Sequence, residues 1–112
     1  MRSAMIMMHD RLAGRLIEDE EGYHFSYLAE YLSALDPKPE PISVTLPLSD
    51  EGYHGDRLFP FFDGLIPEGW MLQIAEQNWK LNARDRMGLL LACCRDCIGA
   101  VSVVPDQAME AP

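Results

Sequence analysis

Phe61-Phe62-Asp63-Gly64-Leu65-Ile66-Pro67-Glu68-Gly69-Trp70 is the stretch around which the chain is organised. Two aromatics lead into Asp63-Gly64, a residue pair that favours chain reversal. Pro67 suits the first position of a helix, where its missing N–H would have had no partner anyway. Glu68 then stands at the positive end of the helix dipole. Gly69 admits another backbone at close range, and Trp70 follows with a very large side chain. Upstream the pattern is that of β-hairpins; downstream it is mostly helical. The stretch is therefore the expected joint between two halves of an α+β fold.

Working upstream, Ala4 to Met8 is a short apolar run that predicts a first strand, with His9-Asp10 as its turn. Leu12 to Glu18 predicts a second strand and Asp19-Glu20-Glu21-Gly22 an acidic turn. Tyr23 to Tyr27 alternates, with Tyr23, Phe25 and Tyr27 on one side and His24 and Ser26 on the other, the period of a half-buried strand. Together these form an antiparallel meander. Leu28, Tyr31, Leu32 and Leu35 have helical spacing. The three prolines of Asp36 to Pro41 impose an extended loop. Ile42 to Leu46 reads as a short strand ending at Pro47, and Ser49 to Gly55 as an exposed loop. Arg57 to Phe62 begins a helical turn interrupted by Pro60.

Downstream, Pro67 to Trp79 predicts a second helix, with Met71, Ile74, Ala75 and Asn78 on one stripe and Leu72, Ala75 and Trp79 on the next. A band that wide packs on a sheet. Asn82 with Asp85 three residues on resembles a capping box, opening a third helix that runs to about Cys94. Ile98 to Val104 is a last β-branched strand, admitted close to its neighbour by Gly99. The expected architecture is a small N-terminal antiparallel sheet packed against about three C-terminal helices, with a final short strand. Residues 1–105 form one domain and residues 106–112 a polar, frayed tail.

Composition narrows the function. The 112 residues carry 9 Lys+Arg against 18 Asp+Glu, a formal charge of −9. Such a field disfavours direct contact with nucleic acid or an anionic membrane and favours a basic partner. No apolar run reaches the length that spans a bilayer. The first eight residues hold four methionines, leaving several candidate start codons, and lack the features of a signal peptide, so a cytoplasmic location is expected. Cys93, Cys94 and Cys97 are odd in number and local, which is no disulfide framework.

Catalytic patterns are missing. Neither phosphate-cradling glycine motif is found, nor a kinase catalytic loop with its metal-binding Asp, nor a nucleophile elbow. His9, His24 and His54 fall in expected turns or on the outer side of a strand and read as solvated. Cys94-Arg95-Asp96-Cys97 spells C-x-x-C, but it closes a helix, where the dipole has the wrong sign for thiol activation. A zinc site has no second ligand pair at finger spacing. Asp63 and Glu68 are explained by a turn and a helix start. No cofactor, metal or catalytic residue is expected. Trp70 and Trp79 differ in kind: at ~100° per residue they sit about 900° apart, on opposite helix faces. Trp79 shares a stripe with Leu72 and Ala75 and suits the core. For Trp70 two readings stand: an exposed interface anchor, or a cap on the core edge beneath the 49–55 loop.

The 61–70 stretch resembles the F-F-D-[GN]-L-L-P-[DE]-G-W signature of the N-terminal subdomain of HipA-like serine/threonine kinases. Arg95-Asp96-Cys97-Ile98-Gly99-Ala100-Val101 is similar to its second signature, [GR]-x-D-x-x-G-A-[VL], and Ser43-Val44-Thr45-Leu46-Pro47-Leu48 to the S-x-S-L-P-L strand before them. The resemblance covers roughly residues 4 to 105. The family's kinases continue into a further N-lobe and a helical C-lobe that carry ATP binding and catalysis; this chain stops before them, so kinase activity does not carry over. A free-standing version resembles the HipS proteins of split three-gene HipBST toxin–antitoxin systems. The resemblance implies a non-enzymatic antitoxin that binds and inhibits a separate HipT-like kinase, with a HipB-like helix-turn-helix protein joined through that kinase. The partner-facing residues expected from it are Phe62, Asp63, Ile66, Pro67, Glu68, Gly69 and Trp70. The rival readings are an excised N-terminal piece of an intact HipA-like toxin, a small metal or redox protein using the three cysteines, and a corepressor whose DNA contact is made by a partner.

Overall fold

The computed structural model describes residues 2–35, 38–66, 85–93 and 100–105. Five strands form one antiparallel sheet: β1 (Arg2–Met8), β2 (Arg11–Asp19), β3 (Gly22–Tyr27), β4 (Tyr53–Gly55) and β5 (Val101–Pro105). Their order is β4-β3-β2-β1-β5. The expected meander is its centre, and the last β-branched run closes the far side by pairing with β1. Helices α1 (Ala29–Leu32), α2 (Pro60–Asp63) and α3 (Arg86–Cys93) complete the described residues. This is the α+β architecture that the sequence predicts.

Register decides which side is buried. Ala4 faces Leu16, Leu16 faces Phe25, Phe25 faces Tyr53, Ile6 faces Val103 and Met8 faces Val101. Because side chains alternate across a strand, these residues share one face. They make a single core with Tyr31, Leu58, Phe62, Met87, Leu89 and Leu90 from the helices and loops. The opposite face carries Met5, Arg15, Ile17, His24 and His54. The β1–β2 register slips between Ile6 and Met7, leaving Ala13 as an extra residue. That bulge has a use: the Ala13 carbonyl accepts the Leu28 N–H at 2.9 Å, where β3 hands over to α1.

The turns follow their residues. His9 takes a left-handed φ of 56°, which histidine tolerates better than most residues. At the β2–β3 turn the Asp19 carboxylate accepts the Glu21 N–H at 2.8 Å, and Gly22 adopts φ 127°. A Cβ at Gly22 would also lie 2.4 Å from the Gly55 carbonyl oxygen, so β4 can approach only because position 22 has none.

Four readings of the sequence need correction. The helix expected over Leu28 to Leu35 is one turn, Ala29–Leu32, and Leu35 is 88% exposed. Its helical spacing was real, but the proline-rich loop that follows pulls the chain away. Ile42 to Leu46 is not a strand. Ser43 and Leu46 form an isolated bridge around a tight turn with Val44 at its tip, held by Ser43 Oγ, which accepts the Thr45 N–H at 3.1 Å. The Ser49 to Gly55 loop yields the edge strand β4 at Tyr53–Gly55, because Tyr53 stacks on Phe25 from the core face. Pro60 does not interrupt a helical turn but starts one, as the first residue of α2.

Candidate partner-binding site

The described half of the central signature is a compact joint. Phe59 precedes α2, and Gly64 ends it in the right-handed region, at φ −69° and ψ −14°. The Gly64, Leu65 and Ile66 amides donate back to Pro60, Phe62 and Asp63 carbonyls at 2.9, 3.0 and 3.2 Å. The chain therefore reverses through continued tight turning, not through a left-handed glycine. Phe62 is 0% exposed and packs edge-on against Phe59 and Phe61 and tilted against Phe25. Ile66 is buried as well. Both side chains act here as core.

Asp63 points outward. Its carboxylate accepts from Arg86 Nε at 2.5 Å, joining α2 to α3. Around this pair, Tyr23, Arg57 and Pro60 border an open hollow of about 530 Å³. A second, acidic hollow of about 610 Å³ lies beside it, bordered by Glu18, Asp19, Glu20, Glu21 and Asp56. The surface next to the signature is thus rimmed by carboxylates, a field suited to a basic partner.

Of the seven residues expected to face a partner, Phe62, Asp63 and Ile66 stand together at this joint. Pro67, Glu68, Gly69 and Trp70 lie outside the described residues, as do the helix expected over Pro67 to Trp79, the Asn82 cap, and Cys94 and Cys97. Asp85 was expected as the second member of a capping box. It instead caps α3 itself: its carboxylate accepts the Gly88 N–H at 3.1 Å and its carbonyl accepts the Leu89 N–H at 3.0 Å.

Sequence reasoning missed two polar clusters. In one, Arg2 Nε donates to Glu18 at 2.7 Å while its two terminal nitrogens grip Asp85 at 3.0 and 2.7 Å. Tyr23 adds a hydroxyl bond to the other Glu18 oxygen at 3.0 Å. In the other, His24 touches both His54 and Asp19. The signal for the second is visible as a histidine on the outer side of β3, but its partner is not, since the sequence of β4 reads as loop. Among the described residues no group of three or more His, Cys, Asp or Glu is arranged around a metal position. No described helix is long and apolar enough to cross a membrane.

A five-stranded antiparallel sheet with helices closing one face, and an F-F-D-G joint at the seam, defines a small α+β module. The chain belongs to the HipA N-terminal domain family, whose match runs over residues 4–104. It is similar to the solved N-terminal domain of HipA toxin, with a TM-score of 0.71 and 28% identity over 95% of this chain and 93% of that one. It is 31% identical over 106 residues to an uncharacterized protein of Haemophilus influenzae, covering 95% of this chain and 94% of the relative. It is also 28% identical over 97 residues to the candidate kinase Y4mE of Sinorhizobium fredii, but there it spans only 23% of the larger protein. The likeness is to the N-terminal subdomain of HipA, not to the part that carries kinase catalysis.

Proposed function

We propose that this chain is a non-enzymatic antitoxin that binds a separate HipT-like serine/threonine kinase and inhibits it in the cytoplasm. The observation that carries this reading is one of extent. The family match fills residues 4–104, and a relative of nearly the same length exists, while the same region makes up less than a quarter of a candidate kinase. A domain that occurs within larger kinases and also as a short chain is suited to occupy, in trans, the surface its counterpart covers in cis. A HipB-like DNA-binding protein would join through the kinase, because a charge of −9 opposes direct contact with DNA. The acidic rim beside the joint supports fast docking on a basic kinase face.

Trp70 is the proposed anchor, with Pro67, Glu68 and Gly69 shaping its surroundings and Asp63 at the rim. Phe62 and Ile66 would contribute by aiming the stretch. The test measures binding to, and inhibition of, a separate HipT-like kinase, for wild type and Trp70→Ala. Loss of a central interface tryptophan costs roughly 2–4 kcal/mol, so the variant should stay folded and release most of the kinase activity. A wild type that binds this kinase without silencing it would overturn the inhibitory reading. The similarity to Y4mE favours one alternative, a structural subdomain of an intact HipA-like kinase. No binding to any separate kinase would decide for that alternative.

A further inference from the structure

His24 and His54 lie directly opposite each other on β3 and β4, on the sheet face away from the core. Their Nδ1 atoms are 2.6 Å apart and their rings meet edge to face. At the other end of the His24 ring, Nε2 is 2.9 Å from the Asp19 carboxylate. An ionised carboxylate only accepts hydrogen bonds, so Nε2 carries the proton of that contact. In the neutral His24 ring, Nδ1 is then left with a lone pair directed at His54. A carboxylate holding one ring nitrogen so that the other points at a common position is the outer arrangement found behind metal-binding histidines. The pair is open to solvent: His54 is exposed and His24 partly so. Asp19, which holds the His24 ring, also borders the acidic hollow with Glu20, Glu21 and Asp56, whose field raises the local concentration of divalent cations.

We propose that His24 and His54 form a two-nitrogen chelating site for a divalent transition cation of the copper, nickel or zinc class. Two imidazoles suit those ions and not magnesium or calcium. Metal–nitrogen bonds of about 2.0–2.1 Å require the two donors to stand roughly 3 Å apart. The two Nδ1 atoms part by about half an ångström and both rings turn so that their lone pairs leave the line between them and converge on the ion, a movement allowed on a three-residue edge strand. The entering cation takes the place of the proton on His54 Nδ1, and the exposed His54 ring takes up a proton from solvent at Nε2, so both ligands remain neutral imidazoles and no net proton is released. The remaining coordination positions belong to water or to a ligand from a second molecule. A bound cation would bridge β4 to β3 and fasten the edge of the sheet close to the segment that leads into α2. The site is independent of the kinase-binding proposal and needs no kinase to test.

The test is a titration of the full chain with Cu²⁺, followed through the imidazole proton resonances. The paramagnetic ion broadens only those rings that it binds or closely approaches. His24 and His54 should broaden together, at substoichiometric metal, while His9 stays sharp as the internal control. His54→Gln, at an exposed position that leaves the core untouched, should abolish the early broadening of His24. Asp19→Asn should keep both rings but weaken binding by on the order of tenfold. Zn²⁺ should raise the thermal midpoint of wild type and not of His54→Gln. Equal broadening of all three histidines would overturn the site. So would a Zn²⁺ response that survives His54→Gln and vanishes when the cysteines are alkylated, because the cysteines would then be the ligands.

Discussion

Arg2 and Asp85, 83 positions apart in sequence, form a two-pronged pair with contacts of 3.0 and 2.7 Å. Arg2 begins the first strand and Asp85 caps α3, so the pair ties the sheet to the helix that supplies Met87, Leu89 and Leu90 to the core. Asp85→Ala removes both the cap and the pair, and should destabilise the chain by about 1–2 kcal/mol. Asp85→Asn keeps a capping oxygen and should cost less. Arg2→Met should cost about 0.5–1 kcal/mol, since the pair is partly solvated. Urea unfolding of the singles and the double measures the coupling; additive effects would mean that the two residues do not act together.

The same cluster sets a pH dependence on both sides. Hydrogen bonds from Arg2, opposed by burial, hold the Asp85 carboxyl below its ordinary value of 3.8. Its contribution is therefore fully present above that value and is lost as pH falls through the lowered one. Burial, aided by the bond to Glu18, pushes the Tyr23 hydroxyl from 10.0 up to about 12. The folded chain then holds a proton that the unfolded chain gives up, so stability falls as pH rises between those two values. Urea midpoints measured across pH should drop at both ends. Asp85→Asn should flatten the acid limb, and Tyr23→Phe the alkaline limb. A variant with an unchanged limb would remove that residue as its cause.

Tyr27 secures the turn that carries Val44. Its buried hydroxyl donates to the Leu46 carbonyl and accepts the Ile42 N–H at 3.1 Å. Tyr31 does the same for Glu40, donating at 2.6 Å and accepting at 3.0 Å. Tyr27→Phe keeps the ring in the core but strands a buried N–H and C=O. It should destabilise by about 1–3 kcal/mol and raise hydrogen exchange at Ile42 and Leu46 before it affects β1 or β2. Exchange that rises evenly through the sheet would show that the hydroxyl supports the whole fold instead.

The meander was legible because its signals are local. Phe25 and Tyr27 alternate with polar residues, and Asp19 with Gly22 brackets a short turn, so strand period and turn chemistry agree. The last strand was legible for the same reason, from Val101, Val103 and Val104. Errors came where a distant partner decides the outcome. Tyr53 becomes a strand residue only because Phe25 receives it, and Val44 is a turn tip only because Tyr27 holds the flanking backbone. At the joint, the sequence marked Phe62 and Asp63 without separating them. Their opposite environments follow from which side of one helical turn meets the sheet, and a single turn is too short to show a period.

That separation gives the sharpest expectation about the joint. Phe62→Ala opens a cavity among Phe25, Phe59 and Phe61 and should cost about 3–5 kcal/mol, most of the stability of a small domain at the low end of the usual range of about 5–15 kcal/mol. Any loss of partner binding in that variant would follow from loss of fold. Asp63→Ala removes only the partly exposed contact with Arg86, for which about 0–1 kcal/mol is expected. The circular dichroism of Asp63→Ala should match wild type. If the rim beside α2 meets the kinase, binding by Asp63→Ala should weaken with little change in thermal midpoint, and the deficit should shrink as salt screens the interaction. Unchanged binding at low salt would place the interface away from Asp63 and leave the segment beyond Ile66 to carry it.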